Sequence, residues 1–201
     1  MAKMYFNYGV MGSSKTAQAL MTKFNYEEKG KKVFLFKPST DTRDGTDIVK
    51  SRIGLSAKAC VVSPSDSIKE YVLNSLFGDN SDGFTTAIVI VDEAQFLKAK
   101  QVDELRELVD LYDITVICYG LRTDFQTHLF EGSKRLLELA DTITEIKSMC
   151  ACGRKATVSA RIDFNGRTIT EGEQIDIGGN DKYVGMCHKC YMEGAGPVGK
   201  V

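Results

Sequence analysis

Two kinds of hydrophobic pattern alternate along this chain of 201 residues. Compact apolar runs at 4–8 (Met-Tyr-Phe-Asn-Tyr), 32–37 (Lys-Val-Phe-Leu-Phe-Lys, closed by Pro38), 61–62, 87–91 (Ala-Ile-Val-Ile-Val) and 114–119 predict buried strands. Between them lie segments whose apolar residues recur three and four apart. They are Ala17, Leu20, Met21 and Phe24 within 14–28; Ile68, Val72, Leu73 and Leu76 in a helix opening at Ser65; and Val102, Leu105, Leu108 and Val109 within 98–111. A further helix is predicted over 133–140, ahead of a strand over 142–147. Gly30 stands where the first helix should stop, and Asp79-Asn80-Ser81-Asp82-Gly83 is a clear break. Residues 39–55 are polar and without period, which predicts a long loop. Strands apolar on both faces, alternating with amphipathic helices, predict an α/β domain with a mainly parallel sheet flanked by helices.

The pattern changes at Cys150. Residues 157–164 alternate apolar and polar, Asn165-Gly166 is a strong hairpin signal, and no helical stretch is expected after it. The expected division is therefore an α/β domain over 1–148, a small β domain over 149–192 and a flexible Gly-rich tail over 193–201. A net charge of -1 carries no basic excess of the kind that marks a nucleic-acid binder. The apolar runs are too short to span a bilayer, so no membrane partner is expected. The N-terminal stretch Met-Ala-Lys-Met-Tyr-Phe-Asn-Tyr-Gly lacks a secretory h-region, which reads as cytoplasmic. In a reducing compartment the six cysteines then suggest metal binding or buried thiols rather than disulfides.

Candidate chemistry begins at Gly9-Val10-Met11-Gly12-Ser13-Ser14-Lys15-Thr16, between the first strand and the first helix. This matches G-x-x-x-x-G-K-[ST], the phosphate loop of ATP-binding proteins, except that Ser14 stands where the second Gly belongs. In such a loop backbone N–H groups surround the phosphates, Lys15 offsets their charge and Thr16 ligates Mg²⁺. The strand at 87–91 runs directly into Asp92-Glu93, placing one carboxylate to reach the metal and a second to act as a base. Both motifs fall at carboxyl ends of strands, where open α/β sheets bind ligands. Phe125, Phe96 and Met11 form a candidate apolar slot for a flat base. Cys150-Ala151-Cys152 and Cys187-His188-Lys189-Cys190 supply two close pairs of soft ligands across a hairpin, the design of a structural Zn²⁺ ribbon. Cys60 and Cys118, in strand-like runs, are expected in the core. These parts suit a kinase for a small molecule. They also suit a P-loop ATPase whose zinc ribbon holds nucleic acid, or a module that only binds nucleotide.

The order of these motifs, together with Lys-Pro-Ser-Thr-Asp-Thr-Arg at 37–43, Val-Asp-Glu-Ala-Gln-Phe at 91–96, Tyr-Gly-Leu-Arg-Thr-Asp-Phe at 119–125 and Gly-Glu-Gln-Ile-Asp-Ile-Gly-Gly-Asn-Asp-Lys-Tyr at 172–183, resembles the type II thymidine kinases. That resemblance implies a RecA-like P-loop domain and a zinc-bearing lasso domain. It implies ATP with Mg²⁺, thymidine as substrate with deoxyuridine as an alternative, feedback inhibition by dTTP, a homotetramer and no nucleic-acid partner. It further implies that Glu93 is the catalytic base and that Gly9 to Thr16, Asp92 and Gln95 bind the cofactor. Met11, Phe96, Leu121, Phe125, Ser159, Gln174, Ile175, Asp176, Ile177, Gly178 and Tyr183 would surround the nucleoside. Asp41 and Arg43 would stand on the phosphate side, and Cys150, Cys152, Cys187 and Cys190 would hold zinc. Three positions depart from the family pattern: Ser14, Gly12 in place of a bulky residue, and C-x-C in place of the first C-x-x-C. Arg122 stands where several relatives carry Asp.

Overall fold

The computed structural model describes residues 1–42, 45, 47–78, 86–174 and 182–194. Arg43 and the 175–178 stretch expected at the nucleoside lie outside the described residues, as does the tail from 195 onward.

The predicted strands assemble into one six-stranded sheet. Its strands are β1 (Met4–Tyr8), β2 (Lys32–Pro38), β5 (Cys60–Val62), β6 (Ala87–Val91), β7 (Thr115–Gly120) and β8 (Thr142–Glu145). They lie in the order β5-β2-β6-β7-β1-β8 with every pairing parallel. A parallel sheet needs both faces covered, and the period of two in each strand decides what covers them. In β6, Val89 and Val91 point to one core and Ile88 and Ile90 to the other. The first core is roofed by α2 (Ile68–Phe77), α3 (Ala99–Tyr112) and α4 (Glu131–Leu139), which contribute Ile68, Val72, Val102, Leu105, Leu108 and Leu136. The second core is covered by α1 (Lys15–Glu27) through Ala19 and Leu20. Each such fully buried aliphatic side chain contributes roughly 1.5–3 kcal/mol relative to exposure.

Three local expectations are corrected. The 39–55 segment is not all loop: β3 (Ile48–Lys50) pairs antiparallel with β4 (Ser56–Lys58), and Val49 from this hairpin joins the core beneath α1. Its period was hidden because only one side chain per strand turns inward. The second helix starts at Ile68 rather than Ser65, because the Ser67 hydroxyl accepts from the Glu70 N–H and so caps it. A short helix, α5 (His188–Met192), follows Cys187, where none was expected; at five residues it is too brief to show an apolar period.

Beyond Cys150 the hairpin forms as read: β9 (Val158–Ile162) pairs antiparallel with β10 (Thr168–Ile169), and β11 (Tyr183–Met186) pairs with the other edge of β9. The core of this small lobe contains Cys150, Ala156, Val158, Ala160, Met186, Cys187 and Tyr191, together with Val10 from the loop after β1. The lobe is therefore packed directly on the Gly9–Thr16 loop.

Candidate active site

The loop from Gly9 to Ser14 turns sharply between the carboxyl end of β1 and the start of α1. Gly9 can carry no side chain there, since a Cβ would lie 2.4 Å from Ser13 Oγ and 2.7 Å from the Ile146 carbonyl. Lys15 is buried, and its Nζ donates to the carbonyls of Gly9 at 3.1 Å and Val10 at 2.9 Å. Ser14 takes a left-handed conformation, φ 64° and ψ 20°, and its side chain makes no capping bond to α1. The backbone thus adopts the turn that Gly would make, at a cost of about 1–2 kcal/mol for a residue with a Cβ. With no side-chain cap, the start of α1 turns its first-turn N–H groups and its positive dipole end toward the loop, which suits an anion.

Asp92 and Glu93 follow β6 directly and stand across from Lys15 and Thr16, and these four residues line one cavity of about 550 Å³. Asp92 is buried and, among the described residues, its Oδ1 has no hydrogen-bond partner. Burial first, and then the Glu93 charge, pushes its carboxyl up to about 7; hydrogen bonds from Thr16 and the Glu93 backbone, and the Lys15 charge, act in the opposite direction. An orphaned carboxylate oxygen beside a threonine hydroxyl is a donor set suited to a hard divalent cation. Glu93 also sits in left-handed backbone, φ 51°, at the entry to the 3₁₀ turn Ala94–Phe96. A non-glycine residue held there by its surroundings is the kind of local strain that collects at functional sites.

Gln95 does not reach the cavity. It is 1% exposed, donating from Nε2 to Glu93 Oε2 at 2.5 Å and accepting at Oε1 from the Leu121 N–H at 3.0 Å. Leu121, expected at the nucleoside, is buried at this junction, and its carbonyl accepts from Ser133 Oγ at 2.5 Å. Phe96 packs edge-on to Phe130, with ring centroids 5.6 Å apart.

Phe125 is buried, and one of its faces carries the Arg161 guanidinium 3.8 Å from the ring centroid. Arg161 also donates through Nε and Nη2 to the Tyr183 hydroxyl and through Nη2 to the Glu173 carbonyl. Phe125 and Tyr183 are thus brought together by an arginine that sequence reasoning passed over. The signal was available: in alternating β9, Ser159 and Arg161 share the face opposite Val158 and Ala160. Ser159 is buried, and its Oγ accepts from the Met11 N–H at 3.1 Å. Gln174 donates to Asp124 Oδ2 at 2.8 Å, which ties Gln174 to the loop after β7. Arg122 lies 5.7 Å from the Tyr8 ring centroid, a cation–π contact that gives the residue a structural place.

On the far wall of the cavity, the turn joining β3 and β4 brings Arg52 to Gly12, with Nη1 3.3 Å from where a Gly12 Cβ would lie. Asp41 is buried with its carboxylate 3.4 Å from Lys37 Nζ, and Lys37, fully buried, also donates to the carbonyls of Gly45 and Ile48. Arg52 was not singled out in the sequence, since it belongs to no recognisable spacing, and Lys37 was read only as part of the 37–43 motif with no role of its own.

The four cysteines expected to bind metal converge. The Sγ atoms of Cys150, Cys152, Cys187 and Cys190 all lie within 4.8 Å of one another, and those of Cys152 and Cys187 are 3.6 Å apart. Tetrahedral thiolate ligation at about 2.3 Å asks for sulfurs roughly 3.8 Å apart, so the cluster fits a single metal ion. The Cys187 thiol is lowered to about 6, first by the Cys190 backbone N–H. Cys118 is core, as expected, while Cys60 is half-buried with its Sγ 3.1 Å from the Tyr71 hydroxyl.

The thymidine kinase family model matches residues 2–191. The chain belongs to the thymidine kinase family. It is 44% identical over 199 residues to a thymidine kinase of Ruegeria pomeroyi, covering 99% of this chain and 98% of the relative. A thymidine kinase of Vibrio cholerae is 45% identical over 196 residues, covering 98% of this chain and all of the relative. One from Zymomonas mobilis is 43% identical over 198 residues, 96% of this chain and 97% of the relative. Within this family the order of elements acquires a purpose: the Gly9–Thr16 loop and the Asp92-Glu93 pair line one cavity, and the cysteine-bearing lobe packs on the back of that loop through Val10 and Ser159. Among the described residues no helix is long and apolar enough to cross a membrane.

Proposed function

We propose that the chain transfers the γ-phosphate of ATP to the 5′-hydroxyl of thymidine, with Glu93 as the base. The observation that carries this reading is the placement of Lys15, Thr16, Asp92 and Glu93 around one cavity of about 550 Å³. As the hydroxyl oxygen forms its bond to the γ-phosphorus, Glu93 takes the hydroxyl proton and the bond to the β,γ-bridging oxygen breaks, leaving ADP. Lys15 releases the loop carbonyls it now contacts to meet the phosphate charge, and the N–H groups at the start of α1 hold the β-phosphate. Thr16 and Asp92 would hold Mg²⁺, which when bound offsets charge on the transferring group. Asp41 and Arg43 belong to the phosphate side, the first supported by its place on the cavity wall.

The nucleoside pocket is assigned to the region where Phe125 and Tyr183 approach one another about Arg161. Deoxyuridine, which lacks only the base methyl, is an alternative substrate, and dTTP is assigned to the same pocket with its phosphates toward Lys15. Zn²⁺ is the ion assigned to the four cysteines, in a structural role that ties the small lobe to the core. The division into a domain over 1–148 and a lobe over 149–192 rests on the separate small core, although that core includes Val10. A homotetramer is the assembly the family resemblance implies, and exposed apolar side chains such as Met21 and Phe24 on α1 and Ile143 on the edge strand β8 are available for contacts between copies.

The test is phosphate transfer from ATP with Mg²⁺ to a panel of nucleosides. Product from thymidine but not from purine nucleosides, reduced at least 100-fold in Glu93→Gln, is expected. ATP hydrolysis independent of nucleoside and stimulated by nucleic acid would overturn the reading.

A further inference from the structure

Gln95 lies in the Asp92-Glu93-Ala94-Gln95 stretch, yet both of its polar atoms are already engaged and 1% of its surface is exposed, so it has little to offer a nucleotide. Its orientation is not arbitrary. The Leu121 N–H is a donor and requires Oε1 opposite it, which turns the amide so that Nε2 faces Glu93 Oε2 at 2.5 Å. The Leu121 peptide is fixed in turn by Ser133 Oγ, 2.5 Å from its carbonyl oxygen, and Ser133 is fully buried in α4. A continuous set of hydrogen bonds therefore runs from α4 through the end of β7 to the carboxylate. Two glycines make room for it. A Cβ on Gly120 would lie 2.8 Å from Gln95 Oε1, and one on Gly132 would lie 2.6 Å from the Ala94 carbonyl and 3.0 Å from that of Gln95.

We propose that Gln95 is a positioning residue for the reaction: its amide, locked by the Leu121 peptide, holds the Glu93 carboxylate at the angle from which it meets the acceptor hydroxyl. A glutamate side chain has three rotatable bonds, and its backbone here is in a sparsely populated conformation, so the residue alone does not select one position. A neutral amide is the group that can do so, because it donates to the carboxylate while accepting from the peptide; a carboxylate in its place would repel Glu93. The inference rests on Glu93 being the base and adds how that base is held.

The experiment is single-turnover phosphate transfer to thymidine in Gln95→Met, Gly120→Ala, Glu93→Gln and the double variant Glu93→Gln/Gln95→Met. In Gln95→Met, which keeps the volume and loses both hydrogen bonds, the transfer rate falls 10- to 100-fold, while the KM values for ATP and thymidine stay within about threefold. In Gly120→Ala, which crowds Gln95 without altering its chemistry, the rate falls three- to tenfold with the same unchanged KM values. The double variant is no slower than Glu93→Gln, because there is then no base to position. Should Gln95→Met fail to fold, as read from its thermal melt, Gly120→Ala carries the test. A transfer rate within twofold of the parent in the folded variants, or a KM for ATP that rises with the rate loss, overturns the inference; so does a double variant tenfold slower than Glu93→Gln. A Glu93→Gln variant that transfers normally overturns the base assignment itself, whereas an inactive Glu93→Gln beside a normal Gln95→Met overturns only the positioning.

Discussion

Ser159 Oγ accepts a hydrogen bond from the Met11 N–H at 3.1 Å, so a strand of the cysteine-bearing lobe fixes the middle of the phosphate loop. The contact spans 148 positions of sequence and is reinforced by Val10, whose side chain is part of the lobe's core. Loop and lobe therefore behave as one packed unit, and disturbing one is expected to be felt in the other.

Removing the hydroxyl in Ser159→Ala leaves the Met11 N–H without this acceptor, a loss of about 1–3 kcal/mol when such a group is buried. The KM for ATP should rise about three- to tenfold with a smaller change in kcat. Steady-state kinetics with ATP varied at saturating thymidine checks this.

Gly185 in β11 backs onto the same loop. A Cβ there would lie 2.9 Å from Val10 Cγ2 and 3.3 Å from the Met11 carbonyl, so Gly185→Ala forces the loop outward. Overpacking of this kind costs about 1–3 kcal/mol. The expected result is a lower Tm together with weaker ATP binding, read by thermal melts with and without nucleotide.

Metal removal should act by the same route, since Cys150 and Cys187 share a core with Val10. One metal ion per chain is expected by elemental analysis. Stripping it with a chelator should lower the Tm and weaken ATP binding, and both should return on adding Zn²⁺. Retained ATP affinity in metal-free protein would count against the coupling.

Asp92 is a buried carboxyl beside the Glu93 charge, so ionising it costs stability when no cation is bound. Its carboxyl is raised from 3.8 to about 7, chiefly by burial, so between those values the folded chain keeps a proton that the unfolded chain releases. Stability conferred by that proton is present at low pH and is lost as pH rises through about 7. With divalent cations chelated, Asp92→Asn should therefore be more stable than the parent at pH 8, by about 1–2 kcal/mol, and gain nothing near pH 4. Kinase activity should fall at least 100-fold in the same variant. Thermal melts across pH, beside activity assays, give both readouts.

Ser14 provides a complementary test. At φ 64° it occupies a conformation that glycine adopts without strain. Ser14→Gly is expected to melt no lower than the parent and to retain ATP binding, while Ser14→Val, β-branched and more strongly excluded from this region, should lose more than about 1 kcal/mol.

Much of this architecture was legible in the sequence because it rests on local rules. The doubled apolar pattern of Ala87–Val91 announced a strand buried on both faces, and Ile68, Val72 and Leu76 announced one helix face. Lys15-Thr16 and Asp92-Glu93 were legible for the same reason: phosphate and metal chemistry require those residue types at the carboxyl ends of strands. The β3–β4 hairpin was not, because each of its strands has three residues and its stability comes from Val49 reaching the core under α1 and from Lys37 binding its backbone.

The sequence by itself determined the parallel α/β sheet, the phosphate loop, the paired carboxylates and the cysteine pairs, since each follows from periodicity or short-range spacing. Only the tertiary structure decided what holds them. It placed Arg161 between Phe125 and Tyr183, Ser159 under Met11, and Gln95 between Glu93 and the Leu121 peptide. Those assignments depend on directed hydrogen bonds and ring contacts among residues distant in sequence, and no local pattern encodes which distant donor will meet which acceptor. Ser14 shows the division within one residue. The sequence marked it as the wrong side chain for the turn, and the surrounding structure holds its backbone in that turn regardless.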